Sequence, residues 1–372
     1  MSNNQFLRVY GDTDFITGLR AIAATMVVVI HSGAFMGWGL LGSAITGAGK
    51  YGVDIFFVIS GFTIAKTFTE SSNYRSYLIR RLMRILPLYY LLITFTLFIT
   101  AIGLIAPSYW MLRFGAEADL YNWIFHLSLL SYFDYRVANS ILGVEWSIPI
   151  EIFWYVALPA MLFISRTLKG TIAAIVALVI LSAIFSYISK KYLGTSLPIK
   201  WTPVSYGHLF FLGAWTYYFR SRALESYKKH AKTFISVAVV TVPISIFFEF
   251  DGRGELLALS TAILIAFLQP NKFGMLCQAL TARPMLFLGS ISYSIYLIHP
   301  LVIKALLGVG IISETSSLSG FALIYCITVT ISSITYILIE KTTNKLGKNL
   351  SLNIIQLDSK LLFSLLFSII HL

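Results

Sequence analysis

The sequence predicts an all-α, polytopic integral membrane protein of about ten transmembrane helices. Two observations carry that prediction. First, 57% of the 372 residues are hydrophobic and only 12% are charged, whereas a soluble domain carries about a quarter charged residues. Second, the mean hydropathy is +0.79, and the apolar residues form uninterrupted windows of near-spanning length. A β-barrel would instead show short alternating segments, because lipid forces every backbone amide to be satisfied within a helix or a closed barrel.

Ten spans follow in order: 13–36, 49–69, 84–106, 147–165, 171–189, 204–219, 233–250, 255–270, 286–309 and 320–340. Those at 204–219 and 255–270 are short for a crossing of about 20 residues. They read as tilted, re-entrant or extended into their flanks. The first span is too long for a signal peptide and lacks a small-residue cleavage site. Residues 1–340 are read as one transmembrane domain, and 341–372 as a basic cytoplasmic tail ending in a short amphipathic or interfacial segment, LLFSLLFSIIHL. With the amino terminus placed in the cytoplasm, the inner segments hold most of the Lys and Arg residues. Both termini are therefore expected inside, in a multi-pass bacterial inner membrane protein. The net charge of +12 is membrane topology, and no nucleic-acid partner is expected. Cys277 and Cys326 share no aqueous side, and no His, Cys or carboxylate spacing suggests a metal.

The first span carries Arg20 and His31 in ITGLRAIAATMVVVIH. Eleven helical steps bring the second side chain to within about 20° of the first, roughly 16 Å further along. A cation and an imidazole on one stripe describe a polar path into the bilayer, where ionisable groups usually face a cavity or bundle interior. For His31 alone, a packed core histidine is an equal reading.

Asp54 and Ser60 lie on the second span, in GVDIFFVISGF. Asp54 reads equally as a tether or a catalytic carboxylate, and Ser60-Gly61 as a close helix approach. Arg75, Arg80, Arg81 and Arg84 then cluster at the predicted cytoplasmic mouth of the third span. They are either positive-inside anchors on anionic lipid or a bidentate clamp for phosphates. The long outer segment 107–146 is rich in Tyr and Trp, consistent with an interfacial belt or with sugar stacking. It leads into EWSIPIE, where Glu145 borders the membrane and Glu151 lies inside it, level with Asp54 and His31. The spans between 171 and 270 are ordinary apolar runs, and no role is assigned to His208 or His230. In GSISYSIYLIHPLV, Tyr293, Tyr296 and His299 enter the ninth span and Pro300 is expected to loosen it.

In that order, GLRAIAATMVVVIH, GVDIFFVISGF, RRLMRILP, EWSIPIE and GSISYSIYLIHPLV, spread over residues 15–302, resemble the acyltransferase-3 family of multi-spanning enzymes. These move acyl groups, usually acetyl from acetyl-CoA, onto cell-surface glycans. The resemblance implies that His31 is essential and that Glu151 is the family's carboxylate. The catalytic set is read as His31, Glu151 and Asp54, with Glu151 or Asp54 holding the imidazole and His31 acting as general base or as an acetyl relay. The family's arginine cluster falls on Arg80, Arg81 and Arg84; with Arg20 they are expected to meet the donor's phosphates, with Ser60, Trp146, Ser147, Tyr293 and His299 in support. Where the family commonly has Asp before Gly-Leu-Arg, this chain has Thr17, and Asp14 lies three residues earlier. Some relatives carry an extracytoplasmic hydrolase-like domain, and this chain reads as a stand-alone transferase. The expected function is transfer of acetyl from cytoplasmic acetyl-CoA, as substrate with no bound cofactor, to a surface or lipid-linked glycan such as lipopolysaccharide O-antigen, capsule or exopolysaccharide. The alternative is a flippase or transporter for a lipid-linked glycan using the same buried charges. Oligomeric state is not readable.

Overall fold

The computed structural model describes residues 13–71, 73–227, 229–269, 274–312 and 315–354. Among them every regular element is a helix. Helix α1, Phe15–Ser32, ends where Gly33 takes a left-handed φ of 64°. There the Gly33 amide donates to Ile30 O at 3.3 Å and Ala34 to Val29 O at 3.4 Å, closing the last turn around carbonyls that would otherwise be orphaned. That stop places His31 in the final turn.

A short α2, Gly39–Ala48, leads into α3, Gly52–Thr69. Helix α4, Tyr74–Ala101, starts from Asn73, whose side chain accepts the Arg75 amide at 2.7 Å. Two short helices, α5 Tyr109–Phe114 and α6 Leu120–Leu127, occupy the long connecting segment before α7, Ser147–Ser165. Helix α8, Leu168–Leu193, buries only Thr171 and Ser189. Most of its apolar surface faces outward, as expected of a helix against lipid, while Ala174, Ile175 and Leu178 pack on the core. A four-residue turn of helix, α9 Leu197–Lys200, precedes α10, Pro203–Ser226.

Helices α11, Ala231–Phe247, α12, Arg253–Phe267, α13, Gly274–Leu280, α14, Arg283–Ser290, α15, Ser292–Gly308, and α16, Leu318–Thr335, complete the bundle. Helix α10 lies against α3 through reciprocal glycines. A methyl group on Gly213 would fall 2.0 Å from Val58 O, and one on Gly61 would fall 2.1 Å from Phe210 O. Such contact needs residues without a side chain, the usual device for close helices in a membrane.

Each of the ten expected spans coincides with a helix or helix pair. Among the described residues six helices are long and apolar enough to cross a membrane, and seven if the pair α14 and α15 is one span. The count of ten is therefore not met by length and composition. Helix α11 has 17 residues, α12 has 15, and α10 carries too many polar groups. The ninth span bends by 70° between Ser290 and Ser292, whereas Pro300 sits within a continuous α15. The tail also differs from expectation. Helix α16 passes through a π-helical turn at Tyr336–Glu340 and runs on as helix to 354, so 341–354 belongs to the bundle. The expected interfacial segment LLFSLLFSIIHL lies outside the described residues.

Candidate active site

Three hollows lie in the bundle beside α1, and neighbouring ones share wall residues. At one end a cavity of about 600 Å³ is lined by Thr17, Arg20, Arg80 and Arg84, and by Glu340, Lys341, Asn344, Lys345 and Lys348 from the extension of α16. At the other end a cavity of about 540 Å³ is lined by His31, Asp54, Trp110, Trp146, Trp201, Tyr206 and Tyr296, with Lys50, His208 and Glu255. Between them a narrow pocket of about 30 Å³ is walled by Arg20, Glu151, Ser147, Tyr293 and Tyr296. Arg20 thus borders both the basic cavity and the throat, while Tyr296 borders both the throat and the histidine cavity. The helical spacing of Arg20 and His31 underlies this arrangement: one stripe of α1 serves both ends.

His31 is exposed within its cavity. Its Nδ1 lies 2.8 Å from Val27 O and 3.2 Å from Nε2 of His299. His299, fully buried, places its own Nδ1 3.0 Å from Ile295 O. A carbonyl can only accept, so each neutral ring carries its proton on Nδ1. The His31 Nδ1–H is then shared between Val27 O, the shorter contact, and His299 Nε2. That leaves the lone pair of His31 Nε2 as the free one, the condition for a general base.

The carboxylates are placed differently from the expectation that they hold the imidazole. Among the described residues no carboxylate oxygen lies within 4 Å of a His31 nitrogen. Glu151 Oε1 instead accepts from Ser60 Oγ at 2.5 Å and from Tyr155 OH at 2.6 Å, at the throat. Asp54 shares the histidine cavity with His31. The orienting side chain is His299, expected from the sequence only in support.

The arginine cluster also divides. Arg80 and Arg84, four residues apart, share a face and line the basic cavity. Arg81 points about 100° away. It is buried, donates through Nη2 to Thr63 O and Thr67 Oγ1 at 2.6 Å each, and packs its guanidinium over the rings of Tyr77 and Tyr155. It ties α4 to α3 and takes no part in the cavity.

The supporting residues are distributed along the path. Ser147 Oγ and Tyr296 OH are 2.7 Å apart, and Tyr296 OH also donates to Val144 O at 2.5 Å. Tyr293 OH donates to Ile85 O at 2.7 Å. Trp146 packs on Tyr206 with ring centroids 5.1 Å apart, and Trp110 meets Trp201 edge-on at 5.0 Å. These aromatic pairs form part of the histidine cavity, so not all the tyrosines and tryptophans of 107–146 serve as a belt. The loop before α7 is held by Glu145, buried, whose carboxylate accepts the amides of Ile141, Leu142, Gly143 and Val144 at 2.6–3.0 Å. In the outer segment, the Arg136 guanidinium hydrogen-bonded to Asp134 holds that carboxyl below its ordinary value.

Several lining residues were not singled out from sequence: Lys341, Lys345 and Lys348, assigned to a tail, and Lys50, His208 and Glu255, which lie in runs with no recognisable spacing. The lysine face was legible as i, i+4, i+7 spacing.

A basic cavity, a narrow pocket and an imidazole with a free lone pair thus lie beside one helix of a polytopic bundle. The acyltransferase-3 family model, described as an acyltransferase domain, matches residues 13–337, and the chain belongs to that family. Relatives include the YrhL protein of Bacillus subtilis strain 168, provisionally named a peptidoglycan O-acetyltransferase, 29% identical over 76% of this chain and 47% of its own length. Peptidoglycan O-acetyltransferase OatA of Listeria monocytogenes is 28% identical over 76% of this chain and 48% of its own. Nodulation protein 10 of Rhizobium leguminosarum bv. viciae is 29% identical over 44% of this chain and 48% of its own. The chain spans about half the length of these curated relatives. No solved structure matches.

Proposed function

We propose that the protein is a membrane O-acetyltransferase that moves an acetyl group from cytoplasmic acetyl-CoA to a glycan hydroxyl presented on the far side of an inner membrane, with both termini cytoplasmic. The observation that carries this reading is the alignment of three hollows: Arg20 walls both the basic cavity and the narrow pocket, and Tyr296 walls both that pocket and the cavity holding the free imidazole nitrogen. The family membership and the names of the YrhL and OatA relatives support acetyl transfer.

In this reading the donor's phosphates rest against Arg20, Arg80 and Arg84, and its pantetheine arm threads the throat so that the thioester lies near His31. An acceptor hydroxyl in the opposite cavity gives its proton to His31 Nε2 as its oxygen attacks the thioester carbonyl carbon. Collapse of the tetrahedral intermediate breaks the C–S bond. The leaving thiolate takes the proton from the imidazolium, which restores the neutral ring. An acetyl-histidine relay through the same nitrogen uses the same geometry. The aromatic walls formed by Trp110, Trp201, Trp146 and Tyr206 suit the faces of sugar rings. Lipopolysaccharide O-antigen, capsule and exopolysaccharide are candidate acceptors, and the two relatives' names add peptidoglycan.

The test is purified protein in lipid with radiolabelled acetyl-CoA and host surface glycan. Label is expected in the glycan for wild type and to fall at least about 10³-fold for His31→Ala. Equal transfer by the two proteins overturns the reading.

A further inference from the structure

Helix α16 does not stop where the family match ends at residue 337. It continues as helix to 354, and Lys341, Lys345 and Lys348 from that continuation line the basic cavity. Offsets of four and seven residues put the three ammonium groups on one face, spread over about 10 Å. Opposite them, Arg80 and Arg84 project from α4. The two walls touch closely, since a methyl group on Gly347 would lie 3.6 Å from the Arg80 Cα.

Glu340 interacts with Arg84 and Arg20, while Gly347 lies against Met83 and Arg80, so Lys341 lies toward the end near Arg84 and Arg20, and Lys348 toward Arg80. Glu340, the one carboxylate lining this cavity, already accepts a hydrogen bond from Ser294 Oγ. Among the described residues, none of the three lysines has a carboxylate within 4 Å. So the cavity is a two-walled cationic ladder with little internal neutralisation, which suits a ligand with phosphates at two separated positions.

Resting on the donor reading above, we propose that this lysine face is a second phosphate subsite: Lys345 and Lys348, with Arg80, bind the ribose 3′-phosphate of CoA, while Arg84, Lys341 and Arg20 meet its diphosphate. The direction of threading fixes the order. The thioester must reach the throat, so the diphosphate lies nearer Arg20 and the ribose phosphate nearer Arg80. The donor site therefore includes a segment beyond the residues that the family model matches.

The experiment titrates CoA and 3′-dephospho-CoA calorimetrically onto the full chain in zwitterionic-lipid nanodiscs, and again in nanodiscs containing phosphatidylglycerol. Lys345 and Lys348 are exposed, so Lys345→Gln/Lys348→Gln should fold, as its thermal unfolding will report. In zwitterionic lipid it is expected to bind CoA about tenfold more weakly than wild type, with dephospho-CoA weakened less than about threefold, and Lys345→Arg/Lys348→Arg is expected to retain affinity. A tenfold change corresponds to about 1.4 kcal/mol. Equal CoA binding by wild type and the glutamine variant overturns this inference alone, as does an equal loss for both ligands. A loss seen only with phosphatidylglycerol assigns the lysines to a lipid headgroup and also overturns it. Failure of the wild type to bind CoA overturns the donor reading itself.

Discussion

Nε2 of His299 lies 3.2 Å from Nδ1 of His31, so one buried imidazole on α15 orients another on α1. The arrangement replaces the carboxylate that usually holds a basic histidine. With His299 Nδ1 committed to Ile295 O, its Nε2 joins Val27 O in holding the His31 Nδ1–H, the tautomer that frees the catalytic lone pair. His299→Ala is expected to lower kcat about 10- to 100-fold while KM for donor and acceptor stays within about twofold. His299→Gln, which can present an acceptor oxygen, should recover part of the loss. A His299→Ala enzyme with wild-type kcat would remove His299 from the mechanism.

The same pair sets a pH expectation. The base acts only with Nε2 of His31 unprotonated, and two rings this close cannot both carry charge without strong repulsion. Transfer rate should therefore rise from mildly acidic to neutral pH and lose that dependence in single-turnover measurements on His31→Ala. A flat wild-type profile across that range would argue against imidazole catalysis.

Arg81 and Arg84 separate stability from donor binding. Arg84→Ala removes a cation from the basic cavity and is expected to raise the acetyl-CoA KM about tenfold with acceptor KM unchanged. Arg81→Ala strips the hydrogen bonds from Thr63 O and Thr67 Oγ1. It should lower the unfolding temperature in detergent, by the loss of about 1.5–3 kcal/mol per charge-assisted bond, and leave donor KM within about twofold. The opposite pattern, with Arg81→Ala impairing donor affinity and Arg84→Ala only stability, would contradict the assigned geometry.

How much of this was readable beforehand follows from what kind of signal each residue left. The class and the helices were legible because lipid imposes long apolar windows, and the Arg20–His31 stripe was legible because both residues lie on one uninterrupted helix. Arg81 misled because neighbouring residues in sequence look like one cluster until helical rotation turns one of them inward. The partner of His31 was ambiguous, since depth along a span gives no rotational position, and three polar groups at one level need not touch. Lys341, Lys345 and Lys348 were lost to a boundary: the apolar run ends at 340, but the helix does not. His208 and Glu255 reach the cavity through α10 and α12, whose spacing carries no recognisable motif.

Glu151 closes the series, because its two hydrogen bonds and its charge can be removed separately. Its Oε1 accepts from Ser60 and Tyr155, and the side chain lines the throat with Arg20. Glu151→Gln keeps an oxygen that can accept both bonds but deletes the anion from a passage of low dielectric, where a nearby charge acts strongly. Ser60→Ala does the reverse, removing one bond and leaving the anion. If Glu151 tunes the passage, Glu151→Gln should lower kcat at least about tenfold with an unfolding temperature within a few degrees of wild type. Ser60→Ala should lower the unfolding temperature, consistent with a membrane hydrogen bond of about 1–2 kcal/mol, and keep kcat within about threefold. Full activity in Glu151→Gln would reduce this residue to a tether between α3 and α7.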